Sequence, residues 1–231
     1  MNPPLRPDEL EALRRLDACL LANTVETFHR RPRNEGFMDG SIRCLFPQLP
    51  AIVGYAATVT IRGSAPPVAG RPFLDRTDWW NYIATLPAPR VVVVQDLAER
   101  PGLGSLVGAV HMNILRALGV AGVVTNGSVR DIPAAETARF QLFAGNVAVS
   151  HAYVHIVEFG APVRVAGLTV NSADLLHGDR HGVQSIPPEL VREIPAAAAA
   201  MAAREQSLIA LCRSADFSLE KLRAAVTDYN P

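Results

Sequence analysis

Apolar and polar positions change period several times along this chain, and each change predicts an element. Leu10, Leu13, Leu16 and Leu20 recur at helical spacing, so residues 8–30 predict one helix with Asp8 as its cap. Residues 31–50 mix Pro, Gly and Asn and read as loop, whereas AIVGYAATVTIRG over 51–63 reads as a strand. A Pro/Gly/Ser loop follows over 63–70, then a helix over 75–86 that begins near Thr77. Val91 to Gln95 is a continuous β-branched run, the mark of a strand buried on both faces. Residues 104–118 are helical in period and rich in small residues. A strand then ends in Asn126-Gly127, a turn pair, and AAETARFQLFA over 134–144 reads as a helix behind Pro133. Strands are expected near 146–150 and 153–159, a hairpin turning near Ala166-Gly167, and a C-terminal helix over 189–213 around a run of five alanines. Strands alternating with helices predict an α/β domain, and no repeat or linker divides the chain.

Composition narrows the function classes. The chain has 231 residues, 49% of them hydrophobic, enough for a sizeable core in one domain. Its formal net charge is zero, so nothing points to nucleic acid or to an anionic membrane. No apolar stretch is long enough to span a bilayer, and MNPPLRPDELEALRR has no apolar signal core. Cys19, Cys44 and Cys212 are scattered and odd in number, which predicts a reducing, cytoplasmic setting without a disulfide or zinc framework. Lys221 is the single lysine, and it lies in a polar helical pattern near the C-terminus. Imine chemistry needs a desolvated lysine in a pocket, so Schiff-base aldolase and pyridoxal mechanisms are disfavoured, as is a phosphate-binding P-loop.

The chemistry concentrates in GVVTNGSVRD, residues 122–131. An apolar run delivers Arg130 next to Asp131 at a strand end, just before the helix of Pro133, where loops carry function in α/β folds. Arginine clamps a carboxylate through two parallel hydrogen bonds, and aspartate holds a hard divalent cation. Together they suggest a metal-assisted site for a small carboxylic acid. The plainer alternative makes Asp131 a cap for the following helix and Arg130 a surface residue.

Other constellations are weaker. Gly102, Gly104 and Gly108 form a poor dinucleotide fingerprint, because DLAER separates them from the strand. The pairs His151/His155 and His177/His181 have the spacing of zinc ligands on a helix, but neither segment reads as helix, so hydrogen-bonded structural histidines are the favoured reading. Trp79-Trp80 with Asp75, Arg76 and Asp78 reads first as a core anchor and second as a lid over a pocket.

GSLVGAVHMNILRALGVAGVVTNGSVRD and the later VEFGAPVRVAGLTVNSADLLHGDRHGVQSIP resemble the family of RraA, the ribonuclease E inhibitor, and of the metal-dependent 4-hydroxy-4-methyl-2-oxoglutarate aldolases. The resemblance covers most of 17–187 in order and spacing, and leaves 188–231 as a helical extension. It implies a compact α/β/α-type domain with N- and C-terminal helices, assembled as homotrimers or homohexamers with sites between subunits. It implies magnesium or manganese held by Asp131, a substrate carboxylate bound by Arg130, and a pyruvate-like moiety met at Gly108 and the backbone N–H groups near Val110 and His111, as suits a helix N-terminus. It makes Glu205 the acidic residue that reaches the neighbouring subunit's site. The implied activity is that of a lyase, an aldolase or oxaloacetate decarboxylase, which releases pyruvate from a 4-hydroxy-2-oxo acid or oxaloacetate through a metal-stabilised enolate.

The departures from that family pattern fall close to the site. Its Gly-Glu or Gly-Asp before the helix is Gly108-Ala109 here, and loss of a group that orients metal-bound water costs roughly 10–100-fold in metal affinity or activity. Its Asp-Gly before the arginine is Asn126-Gly127, its Pro-Gly-Asp is Ser172-Ala173-Asp174, and His181 stands where an acid is common. Two alternatives to the pyruvate lyase therefore stay open. One is a catalytically silent, oligomeric regulatory protein, and the other is a metal-dependent enzyme on another 2-oxo (sugar) acid.

Overall fold

The computed structural model describes residues 4–67 and 76–227. Its spine is a mixed sheet whose parallel centre is built from β2 (Ile52–Arg62), β3 (Arg90–Asp96), β4 (Val120–Val129) and β5 (Gln141–Val147). The short β1 (Arg43–Cys44) pairs antiparallel with β5 at one edge. On the other side of β2, β9 (Leu175–Asp179) pairs with its first half and β6 (His155–Phe159) with its second, and β10 (Gly182–Ser185) closes the edge on β9. The hairpin expected near Ala166-Gly167 is a separate two-stranded unit, β7 (Val163–Val165) with β8 (Leu168–Val170).

Alternation along β3 explains why its sequence is apolar throughout. Val92 and Val94 belong to one core and Val91 and Val93 to another, so neither face can be polar. On the first face α3 (Arg76–Thr85) buries Trp79 and Ile83, α4 (Ala109–Ala117) buries Met112 and Leu115, and α5 (Ile132–Thr137) buries Ala135. The β7–β8 hairpin covers the second face, together with Met38 and Ile42. A third core joins α1 (Pro7–Arg14), α2 (Ala18–Thr27) and the start of α6 (Ile194–Arg213) to Val53, Leu175 and Ile186. Each fully buried Val, Leu or Ile in these cores contributes roughly 1.5–3 kcal/mol. The α/β class and the flanking N- and C-terminal helices stand as expected.

Several boundaries differ from the sequence expectations. The helix over 8–30 is two helices, because Asp17 takes an extended conformation and caps α2 through Leu20 N; Arg6, not Asp8, holds the N-cap position of α1, and its backbone N–H donates to the Glu9 carboxylate. Residues 104–108 precede α4 rather than belong to it. Asn126-Gly127 is not a turn: β4 runs through it, with a register shift against β5 between Thr125 and Ser128. Only 132–137 is helical after β4, and QLFA begins β5, because the apolar run finds a parallel partner there. The HGDRHG segment is not a loop but the β9–β10 hairpin. Beyond α6, a further helix α7 (Leu219–Thr227) carries the exposed Lys221. Asp75 and the 68–70 part of the expected loop lie outside the described residues. Among the described residues, no helix is long and apolar enough to cross a membrane.

Candidate active site

β4 delivers Arg130 and Asp131 at the carboxyl end of the parallel strands, beside the start of α4. Asp131 sits in the left-handed region, φ 57°, which aspartate tolerates better than most residues and which costs on the order of 1–3 kcal/mol. Though it occupies the N-cap position of α5, its side chain makes no cap bond there. Instead Oδ2 accepts the backbone N–H of Ala109, the first residue of α4, at 2.7 Å. The expected cap on the helix of Pro133 is therefore not made. Gly108 makes the reach possible, since a Cβ there would lie 2.8 Å from that oxygen. The Ala109 amide holds the Asp131 carboxyl below the usual carboxylate range against the opposing effect of burial, and Arg130 adds to the lowering. Arg130 Nε lies 3.4 Å from Asp131 Oδ1, a loose pair whose side chains are 28% and 32% exposed.

These residues line one side of a cleft of about 350 Å³, faced by Arg76, Trp80, His111 and His151. Val110 and His111 are the second and third residues of α4, and their backbone N–H groups have no hydrogen-bond partner among the described residues. Among the described lining residues, unpaired N-terminal amides and two guanidiniums stand against one carboxylate, an arrangement suited to an anion. Expected site residues Gly108, Val110, His111, Arg130 and Asp131 are therefore brought together. Glu205 is not: it lies half-buried on α6, which packs on α2, away from its own chain's cleft.

The side chain of His111 is occupied. Its Nδ1 lies 3.0 Å from Leu106 O, and its Nε2 accepts the Trp80 indole N–H at 3.1 Å. Trp79 packs edge-on against the same ring at 5.1 Å. Burial pulls the His111 pKa below its usual value, so the ring is neutral. Trp79, fully buried, is the core anchor expected, while Trp80 walls the cleft.

Asp96 escaped the sequence reading. At the end of β3 it is 3% exposed, and its carboxylate accepts Ala98 N at 3.0 Å and Gly102 N at 2.9 Å. Asn126 completes the clasp, its side-chain amide bonding both the N–H and the carbonyl of Asp96. The sequence signal was an aspartate ending an apolar strand a few residues before a glycine, a pattern that fits a self-bonding turn. Ser105, paired with Ser128 across an isolated bridge, ends this clasped loop and accepts a hydrogen bond from His151 Nδ1 at 2.6 Å.

The model of the RraA-like family, described as Aldolase/RraA, matches residues 18–184. The chain belongs to the RraA-like family. That family includes both 4-hydroxy-4-methyl-2-oxoglutarate aldolases and ribonuclease E inhibitors. A Halalkalibacterium halodurans protein, provisionally named a 4-hydroxy-4-methyl-2-oxoglutarate aldolase, is 30% identical over 101 residues, 43% of this chain and 48% of that one. The chain thus spans about half the length of that relative. An uncharacterized protein of Pseudomonas syringae pv. tomato superimposes with a TM-score of 0.72 at 23% identity, covering 96% of this chain and 95% of the other. Streptomyces coelicolor RraAS2, described as an unusual member of the ribonuclease ES inhibitor RraA family, gives a TM-score of 0.68 at 18% identity, with 90% and 98% covered. At these identities the two structures speak for the RraA-like fold alone.

Proposed function

We propose that this RraA-like chain is a divalent-metal-dependent lyase that cleaves a 4-hydroxy-2-oxo acid, or decarboxylates oxaloacetate, and releases pyruvate. The observation that carries the reading is the grouping of Arg130, Asp131 and the two unpaired amides of α4 in one cleft. Arg130 clamps the substrate carboxylate. The Val110 and His111 amides take partial negative charge from the 2-oxo acid, and Trp80, Leu106 and Ile114 shield that charge from water.

Asp131 is the residue that would hold magnesium or manganese. Among the described residues no group of three or more His, Cys, Asp or Glu gathers around a cation position. A magnesium ion nevertheless needs only one or two carboxylates when a chelating substrate and water complete its shell. Oδ1 of Asp131, with a single partner at 3.4 Å among the described residues, keeps lone pairs for that purpose. When bound, the cation supplies Lewis-acid stabilisation of the charge that develops on the 2-oxo oxygen.

An assembly around the cleft belongs to the same reading. Leu103, Val110, Val147, Val149 and Tyr153 are all between 59% and 96% exposed, and all sit at the carboxyl edge of the parallel strands. Apolar residues gathered beside a site favour burial by another subunit, in a trimer or hexamer. Past Ala198, α6 buries no residue, so the second half of this helix leaves surface that another subunit would cover.

Ala109 favours a second reading, a silent regulatory protein, because it offers no carboxylate beside Asp131. Pyruvate release from 4-hydroxy-4-methyl-2-oxoglutarate and from oxaloacetate, with Mg2+, Mn2+ or chelator, separates the two. The lyase gives chelator-sensitive pyruvate and Mg2+-dependent oxalate binding; the regulator gives neither.

A further inference from the structure

We propose that His151 is the general base of this cleft, its Nε2 taking the proton from the C4 hydroxyl of a 4-hydroxy-2-oxo acid. The proposal rests on the lyase reading above and adds the proton acceptor that reading lacks. Among the described residues lining the cleft, only Asp131, His111 and His151 can accept a proton, since the two arginines stay charged. Asp131 is held ionised by the Ala109 amide and is the cation's ligand, which makes it a poor base. His111 has neither nitrogen free: a carbonyl only accepts and an indole N–H only donates, so Nδ1 carries its hydrogen and Nε2 is filled by Trp80.

His151 is arranged differently. Its Nδ1 stands 2.6 Å from the Ser105 carbonyl, which can only accept, so Nδ1 carries the hydrogen and Nε2 presents its lone pair. Nε2 has no hydrogen-bond partner among the described residues. Ser105 is fixed by the bridge to Ser128 and by its own hydroxyl bond to Val107 O at 2.8 Å, so the ring is held by a rigid third group, the arrangement that orients a catalytic base.

The step balances without a redox partner. The O–H bond at C4 breaks and its proton goes to Nε2, while its electron pair forms the C4 carbonyl. The C3–C4 pair becomes the pyruvate enolate. The imidazolium gives its proton to water at the cleft mouth, where His151 is exposed, and the enolate takes a proton from water at C3.

His151→Asn tests this, because the asparagine amide can still donate to Ser105 O while Nε2 is removed. Aldol cleavage of 4-hydroxy-4-methyl-2-oxoglutarate should fall by roughly 10²–10⁴-fold in kcat. Oxaloacetate decarboxylation has no hydroxyl proton to lose and should stay nearly unchanged, as should Mg2+-dependent oxalate binding and Tm. Added imidazole should restore aldol cleavage to His151→Ala. A parallel fall of both activities, or no fall in aldol cleavage, overturns the assignment. Wild type that decarboxylates but never cleaves the aldol overturns the base alone. Wild type that yields pyruvate from neither substrate overturns the lyase reading and this proposal with it.

Discussion

At the start of α2 and at the start of α4, a strand-end aspartate reaches across and accepts the first backbone N–H of the helix. Asp179 Oδ2 takes Ala18 N at 2.8 Å, and Asp131 Oδ2 takes Ala109 N at 2.7 Å. Both carboxyls are held below their usual range. For Asp179, burial pushes upward, and the bonds from Ala18 and His181 outweigh it; for Asp131, the Ala109 bond leads. The difference lies in the second oxygen. Asp179 Oδ1 is taken by His181 N at 2.7 Å and by His181 Nδ1 at 3.2 Å, with the side chain only 11% exposed. Asp131 Oδ1 has the loose Arg130 pair and opens on a cleft. A carboxylate whose lone pairs are all used holds structure together, and one with lone pairs to spare can do chemistry.

Exchanging each aspartate for alanine is the hardest test of that distinction. Asp131→Ala should cut metal-dependent pyruvate release by more than the ~100-fold that loss of a mere supporting group costs, with stability lowered only by about 1 kcal/mol for the lost cap. Asp179→Ala should do the reverse. It strands the Ala18 and His181 amides, which at roughly 1–3 kcal/mol each predicts a loss of about 3 kcal/mol, or roughly 6–12 °C in Tm for a chain of this size. Pyruvate release per folded molecule should not change. Equal effects of the two substitutions on turnover would erase the distinction.

Ala109→Glu sharpens the comparison from the other side, by adding an acid where α4 begins. Chelator titration of pyruvate release should show metal affinity rising by roughly 10–100-fold. Unchanged affinity would mean that Asp131 and the substrate already satisfy the cation. If activity appears only in Ala109→Glu, the scaffold is intact but the natural chain has left this chemistry.

Why was one aspartate legible in the sequence and the other not? Asp131 follows an apolar strand and stands beside Arg130 and before Pro133, so its setting is local. Asp179 lies in HGDRHG, whose polar letters read as loop; the strand exists because β9 pairs with β2 and β10, partners far apart in the chain. Asn126-Gly127 misled for the same reason, since its amide is bonded across the sheet to Asp96. The parallel strands β2 and β3 were legible because burial on both faces leaves a continuous apolar run. The role of His151 depends on Ser105, 46 residues earlier, a contact that no periodicity encodes.

The smallest expected effect is a difference in acid sensitivity around the two helix starts. His111 beneath α4 and His177 behind α2 are both buried, and burial pulls both pKa values below 6.5. In the unfolded chain each titrates near 6.5, so below that pH the unfolded state binds more protons than the folded one. Their contribution is complete above about pH 6.5 and is lost as pH falls toward the lower folded values. The aspartates act later: their stabilisation is present above about 3.8 and lost as pH drops through their depressed folded values. Urea midpoints, read from the fluorescence of Trp79 and Trp80, should therefore fall between about pH 7 and pH 5, before any carboxylate step. His111→Gln should remove part of that fall and leave the His177 part, at the cost of the Trp80 bond. A midpoint that stays flat to pH 5 in wild type would show that neither ring is kept neutral by burial, and a full-sized fall in His111→Gln would assign the whole effect to the α2 side.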